Sequence, residues 1–378
     1  MNTFARGTLA ASLVCFAAVV VAAPLQVRSL TMKAPPGAKD LPAYASGWAD
    51  GSVKMPFVVS DPPAVGARIT AMLFVSLMGM APPAKPGESF APRPDQLPDG
   101  TSSQEFELTR NDARVLAIAF DIEGCGAYCE NYQQIYSFDA RNGRLLALGD
   151  LIAPASLPAV AARVGKDRGQ RYADQLKSLN KDLAAARKAH AKADVIEDLQ
   201  QRIDLNQDCL DREQNQPRDA SSLHHARFSL PDNGLVLHTE RCSNHASRAL
   251  DDVGDIDTPL AAADLAKWLT PYGKTLVLGQ GDAPPPASAF GQILHGKIGG
   301  AAVTLQLDRV NSDGSLAGRY FYERYGRMIP LNGKRSGNTL ALTEDADGNK
   351  AELNLTVRGN TITGQWQGNG KTLPVVLD

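Results

Sequence analysis

The sequence is poor in several features that would narrow its function at once. Aromatic residues make up 6% of its 378 residues, and there are only six histidines. Lys plus Arg (39) nearly balance Asp plus Glu (41), and no basic block occurs. A chain without a cationic stripe lacks the footprint that a phosphate backbone demands, so nucleic acid is excluded as a partner. His-Glu-x-x-His, Gly-x-Ser-x-Gly and Walker patterns are all missing. Zinc peptidases, α/β-hydrolases and P-loop enzymes are each recognised by one of those patterns. No motif calls for a cofactor, and none is expected.

Long apolar runs are also missing, except at the start. In MNTFARGTLAASLVCFAAVVVAAP one basic residue, Arg6, precedes an apolar run from Leu9 to Val21, followed by small residues. This reads as a secretory signal peptide over residues 1–23, cut near Ala22 or Ala23. The run is too short for a membrane anchor. The expected location is the periplasm or the medium, with no transmembrane segment left after cleavage.

Cysteine is scarce. Removing the leader removes Cys15 and leaves Cys125, Cys129, Cys209 and Cys242. An even number in an exported chain reads as disulfides. Of three connectivities, Cys125–Cys129 with Cys209–Cys242 is preferred: the first pins a loop tip and the second closes a longer loop. Redox catalysis is disfavoured, because CGAYC places three residues between its cysteines and sits between strands, not at a helix N-terminus. A competing reading gathers Cys125, Cys129, Cys242 and His245 into a closed zinc site; the exported setting favours oxidation, and no metal site is expected.

What is present defines an architecture. Residues 24–280 read as an α+β domain. Asp61 is the expected N-cap, and Gly79 the end, of a helix in PPAVGARITAMLFVSLMGM. In VLAIAFDIEG the larger apolar residues alternate, as in a half-buried strand. QIYSFDARNGRLLAL pairs with it and turns at Asn142-Gly143. Residues 157–214 are helical, with Leu176, Leu179 and Leu183 on one stripe and Ile196, Leu199 and Ile203 on another. They predict a long helix or an antiparallel pair. The Pro-rich stretch 281–289 reads as a linker. Residues 290–378 read as an all-β antiparallel meander closing into a small barrel. Within it Leu294-x-Gly296-x-Ile298, Leu316-x-Gly318-x-Tyr320 and Ile362-x-Gly364-x-Trp366 repeat one pattern, which suits sharply bent strands with inward aromatics filling the space.

Some residues invite chemistry. Tyr128, between the tip cysteines, is a binding candidate. Tyr320, Tyr322 and Trp366, with Tyr325, are candidates for a barrel mouth, against the plainer reading of core filling. Asp251, Asp252, Asp255 and Asp257 form an acidic run that reads as solvated carboxylates in preference to a calcium loop. His224 and His225 read as a solvated pair. Glu344 to Asn349 reads as a turn.

The order of several segments resembles a known family. ARITAMLF, then Ser137-Phe138-Asp139…Asn142-Gly143-Arg144…Asp150-Leu151, then FSLPDNGLVL and LAKWLTPYG, are similar to an exported domain of unknown function. That domain occurs in the extracellular part of lysozyme-sensing anti-sigma factors and beside peptidoglycan deacetylases. The resemblance covers about residues 55–273. It implies an α+β domain that binds something in the cell envelope, and it brings no catalytic residue. This chain departs from the pattern at the tip, where relatives carry Gly-Gly-Ala-His and Cys125 to Cys129 stand here.

The expected function is therefore non-enzymatic: binding of an envelope glycan or of a lysozyme-like protein. One alternative is an envelope glycan hydrolase with carboxylates drawn from Asp139, Asp150 and Glu240. Another is a small apolar ligand held inside the barrel.

Overall fold

The computed structural model describes residues 23–35, 46–93, 100–126, 128–215, 223, 226–232, 234–311, 313–346 and 349–378. Residues 1–22 of the expected leader, His224, His225, Asp347 and Gly348 lie outside them. The fold is an α+β region with a long helix, followed by a closed antiparallel barrel of eight strands.

Strands β1 (Gln26–Met32), β2 (Lys54–Val59) and β3 (Ser89–Phe90) form a small sheet in the order β2-β1-β3. Its first strand lies in a Pro/Gly/Ala-rich stretch whose weak periodicity hides it. Helix α1 (Ser46–Asp50) contributes Trp48, fully buried, whose Nε1 donates to the Thr101 carbonyl at 3.0 Å. Helix α2 (Pro63–Leu73) starts from Pro62, not from the expected Asp61. No side chain caps it, and a proline in the first turn needs no N–H partner there. The helix widens into a π turn, Phe74–Met78, and ends at Gly79 in the left-handed region, φ 61°.

The second sheet runs β4-β5-β6-β7 with β4 (Thr101–Asn111), β5 (Val115–Cys125), β6 (Cys129–Asp139) and β7 (Arg144–Leu145). β5 differs from its expected half-burial: Val115 to Phe120 are all buried. The alternation separates two covered faces. Leu116, Ile118, Phe120 and Ile122 join a core built on α2 and the first sheet. Val115 and Ala117 join a second core with Val160, Ala161 and Val164. A strand covered on both sides still alternates when one face is built from smaller residues.

A short helix, α3 (Leu148–Leu151), leads to α4 (Leu157–Lys188). The α4 stripe Val160, Val164, Arg168, Tyr172, Leu176, Leu179 and Leu183 is buried. The chain reverses through His190 (φ 52°) into α5 (Ala193–Asn215). Arg168 pairs with Glu213 at 2.7 Å and Arg187 with Gln200 at 3.4 Å, so the two helices run antiparallel. Strands β8 (Arg227–Ser229), β9 (Gly234–Thr239) and β10 (Ile256–Ala261) form a third sheet in the order β10-β9-β8. Two sulfur bridges, Cys125–Cys129 (S–S 2.03 Å) and Cys209–Cys242 (2.13 Å), use all four cysteines of the described residues.

The barrel comprises β11 (Gln292–Ile298), β12 (Ala301–Leu307), β13 (Ser315–Tyr322), β14 (Ile329–Ser336), β15 (Thr339–Ala346), β16 (Asn349–Arg358), β17 (Thr361–Gly368) and β18 (Lys371–Leu377). Each pairs with the next, and β18 returns to β11. The repeated glycines mark places where strands press together. A Cβ on Gly296 would meet the Val376 carbonyl at 2.0 Å, and one on Gly364 the Asn354 carbonyl at 2.2 Å. Gly333, outside the repeat, meets the Ala341 carbonyl at 2.0 Å. The barrel is seated on the α+β region: Ile293 and Phe321 enter the first core, and Arg309 reaches Asp150 at 2.7 Å. The connecting stretch is tied at both ends, by Ala283 N–H to Thr275 and Ser288 N–H to Asn360.

Candidate functional site

The residues behind the family resemblance build one buried polar knot. Asp139, completely buried, accepts from the backbone N–H of Arg141 (2.9 Å), from Asn142 Nδ2 (2.8 Å) and from the Tyr272 hydroxyl (2.8 Å), and it pairs with the Arg141 guanidinium. Gly143 turns at φ 77°, where a Cβ would strike the Val65 carbonyl at 2.7 Å. Asp150 accepts from the Ala147 N–H at 3.0 Å, starting α3, and lies between Arg144 and Arg309. Thr270 donates to the Asp150 carbonyl, and Gly273 packs on the Leu151 carbonyl. Burial, reinforced by Asp139, holds the Tyr272 phenol protonated well above its ordinary range. Asp139 and Asp150 therefore turn and join segments of the chain. Both oxygens of each carboxylate are engaged inside the protein.

A groove of about 500 Å3 lies between the outer part of β6 and the third sheet. β6 supplies Glu130, Tyr132 and Gln133; the other wall supplies Arg227, His238, Arg241, His245 and Arg248. Arg227 donates to the Gln133 carbonyl at 2.9 Å and locks the walls together. Arg248 pairs with Glu130 at 2.7 Å. Beside the groove Tyr128 stacks on His245, one of its lining residues, with ring centroids 4.0 Å apart and planes at 16°. Tyr128 stays 52% exposed, so one aromatic face is open. The Cys125–Cys129 bridge lies across the paired ends of β5 and β6 and fixes the base of Tyr128. His245 follows Cys242, whose bridge to Cys209 ties that wall to α5. The four-residue zinc set therefore splits. Cys242 is bonded to Cys209, and His245 meets the tip through Tyr128.

The acidic run is dispersed among separate partners. Asp251 accepts from the Ser243 and Gly254 N–H groups, Asp252 pairs with Arg202, Asp255 with Arg241, and Asp257 with His238. Glu240, the third hydrolase candidate, is an exposed carboxylate 3.9 Å from Arg227. The sequence reading missed one trio, which lies on the outer face of the third sheet. His238 Nδ1 is 2.7 Å from Asp257 Oδ1, and His238 Nε2 is 2.9 Å from Ser229 Oγ. A carboxylate can only accept, so Nδ1 carries a proton, and in the neutral ring Nε2 then accepts from the hydroxyl. Asp257 stands directly opposite His238 in the β9–β10 ladder. A sequence clue existed: two short alternating strands place His238 and Asp257 on the same outward parity.

The barrel candidates meet, but inside the barrel. Tyr320 and Trp366 are buried, in keeping with the plainer reading of core filling and not with an open mouth. Each has a polar tip, and both tips find Glu344. The Tyr320 hydroxyl donates to it, and so does Trp366 Nε1 at 3.1 Å. Glu344 itself is a buried inward residue of β15, not part of the expected turn. Tyr322 lies edge-on to Tyr320 at 5.6 Å, and only Tyr325 stands clearly exposed. Burial, then the carboxylate, raises the Tyr320 phenol far above its ordinary pKa. The inward residues pack as one cluster around this group.

Comparison with protein-family models finds no model that matches this chain, and comparison with curated proteins finds no match. Among the described residues, no helix is long and apolar enough to cross a membrane.

Proposed function

We propose that this is an exported, non-catalytic binding protein of the cell envelope whose groove beside β6 takes a glycan. The observation that carries the reading is the exposed ring of Tyr128, stacked on His245, which itself lines a groove of hydrogen-bonding side chains. A rigid aromatic face takes the apolar side of a sugar ring, and polar groups along the groove take its hydroxyls. The two bridges suit an oxidising compartment, consistent with the leader. The resemblance to lysozyme-sensing domains agrees with an envelope ligand. Calorimetric titration with peptidoglycan fragments and chitooligosaccharides tests it. Saturable binding weakened at least tenfold in Tyr128→Ala, about 1.4 kcal/mol, is expected. Binding of a lysozyme-like protein with no glycan binding would overturn it.

A second reading, ester cleavage, is favoured by the Ser229–His238–Asp257 hydrogen bonds, which have the order of nucleophile, base and orienting acid. Labelling of wild type but not Ser229→Ala by a fluorophosphonate probe would support that reading. Absence of labelling leaves the trio as a cross-strand ladder.

A further inference from the structure

A larger cleft, about 970 Å3, follows the seam between α2 and the barrel, on elements other than those of the glycan groove. Its apolar lining includes Phe57 on β2 and Ala64, Ala67 and Ala71 on α2, with the buried Val75 of the π turn and the buried Ile293 and Phe321 of the barrel behind them. Arg68 and Arg144 also line it. Arg144 is 5% exposed, its Nη2 is 3.5 Å from Asp150, and its buried Nε has no partner among the described residues. Asp150 is held more closely by Arg309, at 2.7 Å. Arg68 donates only to a neutral group, the Asn142 carbonyl, at 2.7 Å. Arg144 and Arg309 thus share one carboxylate, and Arg68 is paired with none among the described residues. Two acidic residues also line the cleft: Glu323, engaged by Thr304 and His295, and Asp378, whose backbone pairs with that of His295.

A buried guanidinium with an unmet N–H is costly, and an anion bound beside it removes that cost. The remaining wall offers methyl and ring surface that an alkyl chain would cover. Apolar clefts between packed units, with a few polar groups at one place, are the usual form of a ligand site. We propose that the seam cleft binds an amphipathic anion: its carboxylate or phosphate is taken by Arg144 and Arg68, and its apolar chain lies along Phe57, Ala64, Ala67 and Ala71.

The test uses the full exported chain and a dansyl-labelled undecanoate as probe. Probe fluorescence is expected to rise on binding and to fall when dodecanoate or dodecyl phosphate is added; which of the two competes better tells carboxylate from phosphate as the natural group. Dodecanol and dodecyltrimethylammonium, equal in chain length, should compete at least about tenfold less well, since a hydrogen bond to a charged group contributes that much or more. Arg68→Ala should weaken the probe by a similar factor. Arg144 belongs to the buried knot and its loss could unfold the chain, so the decisive variant is Ala67→Trp. That side chain fills the cleft from an exposed helical position, and it should abolish probe binding with an unchanged circular dichroism spectrum. The proposal is overturned if the wild type leaves the probe dark, if the neutral or cationic chain competes as well as the anions, or if Ala67→Trp binds normally.

Discussion

Replacing Cys209 and Cys242 together by alanine should cost far more stability than replacing Cys125 and Cys129. The first bridge spans 33 residues of chain and the second only 4. Loop-closure entropy then gives about 3.7 kcal/mol for the long link and about 1.9 kcal/mol for the short one at room temperature. Packing widens the gap. Cys209 is fully buried against Tyr172 and Ile256, with Cys242 alongside, whereas Cys129 is exposed at the tip. Urea unfolding followed by far-ultraviolet circular dichroism is the assay, because α4 and α5 dominate that signal and the long bridge anchors them. Glycan affinity supplies the second axis. Losing the tip bridge frees the base of Tyr128 and should weaken groove binding while lowering the urea midpoint about half as far as loss of the long bridge. Losing the long bridge should move the midpoint most. Equal midpoints for the two double variants would refute the closure argument, and a tip variant with full affinity would refute the role given to the staple.

The barrel offers a steric test. Gly364→Ala drives a Cβ to 2.2 Å from the Asn354 carbonyl and should destabilise by about 1–3 kcal/mol, as overpacking does. Gly300→Ala, with open space around it, should stay within about 0.5 kcal/mol of wild type in the same thermal melt. Glu344→Leu orphans the Tyr320 hydroxyl and Trp366 Nε1, costing about 2–4 kcal/mol for two buried donors. Glu344→Gln keeps an acceptor oxygen and should lose less; equal losses would show that the carboxylate is not what those donors need. Burial pushes the Tyr136 phenol up to about 12, and Tyr272 and Tyr320 are raised as well. An unfolded tyrosine titrates near 10, so the unfolded chain releases its protons first and stability falls as pH rises from about 10 toward 12. A urea midpoint that stays flat across that window would contradict the burial of these phenols.

The parts of the fold legible in the sequence are those written in adjacent residues. Turn residues at short intervals announced the barrel, and Gly79 ended its helix because a left-handed cap needs no neighbour to specify it. Strands β1 and β4 were not legible. TSSQEFELTRN has few apolar residues, and its pairing with β5 supplies the order that its composition lacks. Glu344 was misread because a charged residue before Asp-x-Asp-Gly looks like the start of a turn. Its burial depends on Tyr320 and Trp366, 24 and 22 residues away along the chain. The groove was less legible still. Arg227 and Gln133 are 94 residues apart, and nothing near either one signals the other. Local patterns carry secondary structure, whereas a site assembled from distant segments is defined only by their packing.

The two sulfur bridges make best sense together. Each fixes one side of the stack beside the groove. Cys129 adjoins Tyr128 in the chain, and Cys242 precedes His245 by three residues. Without such anchors, the tip of a two-stranded arm and a short 3-10 turn are both low-stability elements, and pairing them would cost more order than one ring contact returns. Ion pairing between Glu130 and Arg248 spans the same gap, yet an exposed pair contributes only about 0–1 kcal/mol. The bridges therefore supply the rigidity that the stack requires, by constraining each wall before the rings meet. CGAYC is in this light half of a paired device. Its partner is the Cys209–Cys242 link, and what the two hold in place is the open face of Tyr128.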